Sequence, residues 1–206
     1  MSSRTTSDAA DHIIDLYQRK ASDWIDSRAR SSLFEQAWLD RFRALLPPAG
    51  SVLDLGCGSA EPMAEYLIGL DHPMTGVDSS PAMIDACEQR FPKQEWIVAD
   101  MRQLALGRRF CGILAWDSFF HLCFDDQRRM FPIFRDHARP DAALMFTSGP
   151  AQGEAIGALG GEPLYHASLD PAEYRSLLDR NGFRVVSHVV EDPDCGGHTI
   201  WLAQRL

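Results

Sequence analysis

The 206-residue chain has no apolar run approaching the ~20 residues that a membrane-spanning helix needs, so no transmembrane segment is expected. Cysteine is sparse: Cys57, Cys87, Cys111, Cys123 and Cys195 form no CxxC pair and leave an odd one over. That excludes a disulfide framework and a zinc knuckle, and points to a reducing compartment. The first residues, Met1 to Asp8, carry no apolar core, so a signal peptide is not expected and the protein reads as cytoplasmic. Positive charge is also short, with 20 Lys and Arg against 29 Asp and Glu, a net charge of −9. Arg108-Arg109 and Arg128-Arg129 are isolated pairs, and no basic stripe exists to track a phosphate backbone. Nucleic acid is therefore disfavoured as a partner, and a cationic small ligand is mildly favoured. Internal repeats and low-complexity segments are absent. No His, Cys or acidic cluster has metal-ligand spacing, and Asp125-Asp126 reads as a helix start rather than a metal site.

What is present is ordinary globular material, 45% apolar and 24% charged, enough for one domain with a sizeable core. Ile13, Tyr17, Ala21 and Trp24 fall at helical spacing and predict one amphipathic helix from about Asp11 to Arg28. A second is expected from Leu33 to Leu46, ending at Pro47-Pro48-Ala49-Gly50. From Ser51 onward strands and helices alternate. Strands are expected at 51–55, 74–77, 95–99, 110–116 and 142–148, and helices at 62–70, 81–90 and 126–137, with 117–124 a loop. Such alternation implies a parallel sheet covered on both faces. The Gly- and Ala-rich stretch 149–164 is too long for a routine connection and reads as a mobile flap. Asp170 caps the next helix, with Pro171 behind it and Gly182 past its end. The runs 183–191 and 198–204 are joined too briefly to pair in any way but antiparallel. The expected fold is therefore α/β, a Rossmann-like doubly wound seven-stranded sheet, mostly parallel with a reversed last strand. Residues 1–50 form a helical cap and 51–206 the main domain, with a flap at about 149–168.

The densest signal is Val52-Leu53-Asp54-Leu55-Gly56-Cys57-Gly58-Ser59-Ala60-Glu61-Pro62, an apolar strand running into a glycine turn and a helix expected to open at Ser59. Gly56 and Gly58 lack the Cβ that would hold a ligand off the backbone. Where the dinucleotide fingerprint places its third glycine, this chain has Glu61, whose carboxylate repels phosphate and tolerates a cation. The turn thus reads as a nucleoside cradle for a ligand without phosphates, though Glu61 serves equally well as a helix-dipole partner. Asp78, 20 residues beyond Gly58, ends the second strand where an acid accepts from both ribose hydroxyls. NAD offers the same ribose, so an NAD(P)-dependent oxidoreductase is an alternative, opposed by Glu61 and the terminal hairpin.

With these elements in order, the chain resembles the class I S-adenosylmethionine-dependent methyltransferases over essentially its whole length. That family commonly orders its strands 3-2-1-4-5-7-6 with strand 7 reversed. Tyr165-His166-Ala167-Ser168-Leu169, the Asp170 helix and Gly196-Gly197-His198-Thr199-Ile200-Trp201 resemble a bacterial subgroup of small stand-alone members. One departure is Ala60, where the family usually has a further loop glycine. The resemblance implies S-adenosylmethionine as cofactor, S-adenosylhomocysteine as product, and an unidentified small-molecule acceptor methylated on O, N or S. It also implies a set of cofactor-binding residues. Asp54, Gly56, Cys57, Gly58 and Glu61 form the loop, and Asp78 with Ser79 meets the ribose. Asp100 and Met101 hold the adenine, with Met83 as apolar contact or simply core. Trp116 and Asp117 border the methionine half and the methyl path, and Ser118 and His121 complete the set. The N-terminal helix closes over the ligand, with Tyr17 or Arg28 toward its carboxylate, and Trp24 is accounted for equally by packing. The catalytic candidates are His121, Asp117 and His166, with His121 read either as a general base or as a packed wall of the adenosine pocket. Tyr165, His166 and His198 are placed where substrate is recognised. The Asn/Asp-Pro-Pro-Tyr/Phe pattern of methyltransferases that act on nucleic-acid bases is absent, in keeping with the acidic charge. A non-catalytic module that binds the cofactor is a further alternative.

Overall fold

The computed structural model describes residue 10, residues 12–28 and residues 32–206. The expectations at Met1 to Asp8 and the helix start at Asp11 lie outside them. Three helices precede the first strand: α1 (Ile13–Arg19), α2 (Ala21–Arg28) and α3 (Gln36–Arg43). Then follow β1 (Val52–Leu55), α4 (Met63–Ile68), β2 (Met74–Asp78), α5 (Pro81–Arg90), β3 (Glu95–Val98) and β4 (Phe110–Ala115). The chain continues with α6 (Phe124–His137), β5 (Ala138–Ser148), β6 (Gly153–Leu159) and β7 (Glu162–Ser168). It closes with α7 (Pro171–Arg180), β8 (Phe183–Asp192) and β9 (His198–Arg205). Seven strands form one sheet in the order β3-β2-β1-β4-β5-β9-β8. The pairs β1–β2, β1–β4, β2–β3 and β4–β5 are parallel, whereas β9 is antiparallel to both β5 and β8. The α/β fold with a reversed last strand is as expected.

Alternation along the strands sends successive side chains to opposite faces and creates two cores. Leu53 and Leu55 of β1, with Ile113 and Ala115 of β4, face a layer containing Phe119, Phe131, Phe134, Phe146, Tyr174 and Trp201. Val52 and Leu114 face the other layer, where Trp38, Leu39 and Phe42 of α3 cover the sheet. The first strand thus ends, fully buried, at the glycine turn, and β4 ends beside it.

Several boundaries differ from the sequence reading. The first helix is two, α1 and α2, divided at Lys20, where Arg19 and Lys20 both turn to Glu162 on the hairpin. The next is shorter than the predicted 33–46. Helix α4 starts after Pro62 rather than at Ser59, because Ala60 takes a left-handed φ of +68° that no helix accommodates. Strand β5 starts at Ala138, ahead of a positive φ at Asp141. The loop 117–124 contains a 3₁₀ turn, Phe119–His121.

The largest difference is the flap. Its residues form a regular antiparallel hairpin, β6–β7, with unbroken register from Gly153↔Ser168 to Leu159↔Glu162. Gly160 and Gly161 sit at the turn with φ of +55° and +80°, the two positive angles that a tight two-residue hairpin turn requires. The hairpin is tethered rather than loose: Glu162 pairs with Arg19 and Lys20, and the Tyr165 carbonyl accepts from His121.

Trp201 is fully buried, stacks on Phe146 at 5.9 Å and donates through Nε1 to Ser148 Oγ at 3.0 Å. Trp201→Ala is expected to lower unfolding free energy by about 3–5 kcal/mol. Urea denaturation checks this; a loss below about 1 kcal/mol would show that the closing hairpin contributes little to the core.

Candidate active site

The carboxyl ends of β1, β2, β3 and β4 open into one cleft of about 1300 Å³, counted out to open solvent. Its floor is the turn after β1. Gly56 and Gly58 have φ of +75° and +52°. A Cβ on Gly56 would strike Ser118, and one on Gly58 would stand 2.8 Å from the six-membered ring of Trp24. The glycines are therefore demanded by the fold's own packing as well as by any ligand, since Trp24 lies over Gly58. Cys57 and Cys87 are buried beneath, the Cys87 thiol donating to the Gly58 carbonyl at 3.1 Å.

Asp78 organises this turn. Its two carboxylate oxygens accept from Gly58 N at 3.0 Å and Ser80 N at 2.9 Å. Each oxygen keeps a lone pair, which is what two ribose hydroxyls require. Burial pushes its pKa up while the backbone donors pull it down, with a net rise. Asp54 also lines the cleft, 6% exposed, and no donor among the described residues reaches its carboxylate. Burial, reinforced by the neighbouring Asp78 charge, pushes its pKa up to about 7.

The other acids are spoken for. Asp100 caps the 3₁₀ turn Met101–Gln103 by accepting from Arg102 N at 2.9 Å, and the Arg102 side chain also grips it and reaches Asp126. Burial opposes ionisation of Asp100, but Arg102 outweighs it and holds the carboxyl below its usual range. Glu61 is ion-paired with Arg90, so its charge is compensated and it does not act as a bare carboxylate toward the ligand. Arg28 is paired with the fully buried Glu35, and its guanidinium lies 5.5 Å from the Phe34 ring centroid. Ser79, Met83 and Met101 line the cleft, Met83 being nearly fully buried as well.

Beyond β4, two histidines have opposite surroundings. The His121 ring donates from Nδ1 to the Tyr165 carbonyl and accepts the Tyr17 hydroxyl at Nε2, both at 2.8 Å. One donor and one acceptor fix the neutral imidazole, and burial pushes its pKa down to about 4. Both nitrogens are engaged, so a proton reaches His121 only if the Tyr17 bond breaks. His198 faces two acceptors instead: Nδ1 donates to the Cys195 carbonyl at 2.7 Å and Nε2 to the Asp117 carboxylate at 3.0 Å. Its ring lies between Trp116 at 5.4 Å and Phe34 at 5.6 Å. Asp117, with a positive φ of +46°, is fixed by its own N–H, which donates to Thr147 Oγ1 at 2.9 Å. The Trp116 indole N–H is buried and has no partner. His166 stands on the hairpin beside His121 at 4.9 Å, behind the cleft rather than among the residues lining it.

Tyr17, Trp24, Arg28, Trp116, Asp117 and Ser118 share this one cleft, whereas Tyr165 and His198 do not line it: the Tyr165 side chain is fully buried and donates its hydroxyl to Glu154. Sequence reasoning missed Arg102 and Asp126, which also line it, and gave His198 no link to Asp117. The Arg102 link was open to inference from Asp100-Met101-Arg102, an acid capping a turn that contains a cation. The His198 pairing joins residues 81 apart and has no local signal.

A family model described as a methyltransferase domain matches residues 52–141, the glycine turn through the start of β5. Over these residues the chain is similar to the S-adenosylmethionine-dependent methyltransferases. It is 31% identical over 103 residues to trans-aconitate 2-methyltransferase of Azoarcus sp. (strain BH72), a match covering 50% of this chain and 40% of that protein. The chain thus spans about two fifths of the length of that curated relative. In fold it is similar to Burkholderia thailandensis 1,6-didemethyltoxoflavin-N1-methyltransferase, with a TM-score of 0.75, 18% identity and coverage of 100% and 92% of the two chains. It is also similar to magnesium protoporphyrin IX methyltransferase from Synechocystis PCC 6803, with a TM-score of 0.72, 16% identity and coverage of 96% and 97%.

The Asp54 carboxyl yields a pH-dependent expectation for the stability of this protein. Unfolding returns it from about 7 to about 3.9. Between these values the native state holds a proton that the unfolded chain has released, so stability from this group is full below pH ~4 and lost as pH rises through ~7. Asp54→Asn is therefore expected to raise unfolding free energy by about 1–3 kcal/mol more at pH 8 than at pH 4.5. Denaturation at the two pH values checks this, and an equal effect at both would place a charged partner on Asp54.

Proposed function

We propose that this protein transfers the methyl group of S-adenosylmethionine to a small-molecule acceptor. The observation that carries the reading is the distribution of charge along the cleft. Asp54 is buried and Asp78 half-buried, with no cation among the described residues to answer them, and the cations lining the cleft, Arg28 and Arg102, are committed to Glu35 and to Asp100 with Asp126. A pyrophosphate has no counter-charge there, whereas a nucleoside bearing ammonium and sulfonium groups does. The orphaned Trp116 indole N–H is a donor for an oxygen of the bound group.

When bound, S-adenosylmethionine supplies an electrophilic methyl on a cationic sulfur. The chain's part is to hold the groups and exclude water. Asp78 grips the ribose while fixing Gly58; Met83 and Met101 supply apolar contact; Asp54 meets the ammonium. Tyr17, held by His121, closes the cleft from α1, and the Ser80 hydroxyl donates to Gln18 Oε1 at 2.6 Å, tying the same segment to the start of α5. Fixing donor and acceptor in line is worth ~7–11 kcal/mol of barrier, enough to serve without covalent catalysis. His121 acts here as a wall and latch. The 1–50 segment is the cap of this site and 51–206 its cofactor-binding domain.

Calorimetry with S-adenosylhomocysteine, and with NAD as control, tests the reading. Saturable binding of the former is expected and none of the latter. Asp78→Asn, which turns one acceptor toward a backbone N–H into a donor, is expected to weaken that affinity by about 10- to 150-fold, or roughly 1.5–3 kcal/mol. Unchanged affinity would take Asp78 out of the site. His121→Ala should reduce cofactor affinity and turnover together; a selective loss of turnover would restore it as a base.

A further inference from the structure

We infer that the methyl acceptor is an amine nitrogen, received by the Asp117 carboxylate on the Trp116 side of the cleft, and that carboxylate acceptors are excluded. The inference rests on the methyl-transfer reading above and extends it to the chemical class of substrate.

Asp117 stands at the carboxyl end of β4 with its side chain 36% exposed to the cleft. His198 engages it from behind, at 3.0 and 3.1 Å from the two oxygens, and Thr147 fixes its backbone. Because the other His198 nitrogen donates to the Cys195 carbonyl, the ring has two acceptors and no donor around it, the environment of an imidazolium. The carboxylate is thus anchored and oriented: Oδ1 also accepts the Thr147 hydroxyl at 3.4 Å, while Oδ2 retains a lone pair for a group entering from the cleft. His198 is a positioning residue; Asp117 is the group that touches substrate.

The rest of this corner attracts positive charge as well. Trp116 presents an aromatic ring to the cleft, and the Tyr17 oxygen, having donated its hydrogen to His121, keeps its lone pairs. The nearby cation Arg28 is already bound to Glu35, and Arg102 lies on the adenine side bound to Asp100 and Asp126. Among the described residues no further Lys or Arg lines the cleft. A carboxylate acceptor would meet the Asp117 oxygens themselves, with His198 on their far side and no further cation lining the cleft among the described residues. The trans-aconitate methyltransferase that this chain resembles over 103 residues is named for an acidic acceptor, so the inference separates the two proteins.

The chemistry favours the same side. The amine reaches the carboxylate as its ammonium and first releases a proton to water; the neutral nitrogen then gives its lone pair to the methyl carbon, and the carbon–sulfur bond breaks with its electrons passing to sulfur. Positive charge leaves sulfur and appears on nitrogen, and the new ammonium loses its proton to water. A carboxylate placed at the nitrogen is better bound to this transition state than to the neutral amine. No general base is required in the step itself, which agrees with a His121 whose nitrogens are both engaged.

The test uses three probes that share one ring: benzylamine, benzyl alcohol and benzoate, each titrated calorimetrically into protein saturated with S-adenosylhomocysteine at about 0.15 M salt, where long-range attraction is screened. Benzylamine is expected to bind at least tenfold more tightly than either of the others. Asp117→Asn, a residue type that tolerates the left-handed backbone there, is expected to abolish the preference. Stronger binding of benzoate, equal binding of benzyl alcohol, no binding of any probe, or a preference that survives Asp117→Asn each overturns the inference. Failure of S-adenosylhomocysteine itself to bind would overturn the methyl-transfer reading instead, so the two failures are distinguishable.

Discussion

Gly58 is held from three directions, and the cleft exists because it is. Its N–H is fixed by Asp78 of β2, its carbonyl by the Cys87 thiol of α5, and its open Cα face by Trp24 of α2. Three elements far apart in sequence therefore converge on one residue that has no side chain. The turn around it carries three left-handed residues, Gly56, Gly58 and Ala60. Two are glycines and adopt the angle at no steric cost; Ala60 does so against a penalty of about 1–2 kcal/mol. Ala60 is almost fully buried, so its methyl contributes packing that a glycine would not, and this offsets part of the strain.

Charge in the cleft follows a rule that residue spacing alone does not express. Glu61, Asp100 and Asp126 lie on helix or turn starts and have guanidinium partners within reach. Asp54 and Asp78 lie at strand ends, where the parallel sheet brings them together and admits no cation. They are the cleft acids without a charged partner among the described residues. The sequence argument gave the discrimination against phosphate to Glu61. On the proposed reading it falls to Asp54 and Asp78 instead, because Glu61 is paired with Arg90 and those two are not compensated.

The alternation of strands and helices, the reversed last strand, the Asp170 cap and the glycine turn with Asp78 at the next strand end were legible in the chain because each has a local cause. Asp170 shows this at its simplest, since its carboxylate accepts from Ala172 N at 2.7 Å as a cap at that spacing should. The hairpin β6–β7 was not legible because glycine and alanine dominate it and weaken the period of two, although Gly160-Gly161 carried the turn signal. The break at Lys20 has no breaker residue and coincides with ion pairs to Glu162, over 140 positions away. The Asp117–His198 pair was hidden for the same reason: only the antiparallel return of β9 along β5 brings the start of β9 to the end of β4.

His121, which is buried, and His198, which is half-buried, show how one residue type is assigned two charge states around a single cleft. Unperturbed, both would titrate near pH 6.5. His121 is flanked by a carbonyl that must accept and a tyrosine hydroxyl that can donate, so the neutral tautomer satisfies every partner and the charged form satisfies one fewer. His198 is flanked by a carbonyl and a carboxylate, so only the charged form satisfies both. Burial opposes charge at His198 too, but hydrogen bonding and attraction to Asp117 outweigh it and raise the pKa above its usual value. The neutral ring therefore joins α1 to the hairpin without adding charge near the methyl path. The charged ring balances Asp117 from the rear, so the carboxylate can face the cleft without an uncompensated burial cost. Exchanging the two sets of partners would leave a cation beside the closing helix and a bare carboxylate at the acceptor, an arrangement suited to neither closure nor transfer.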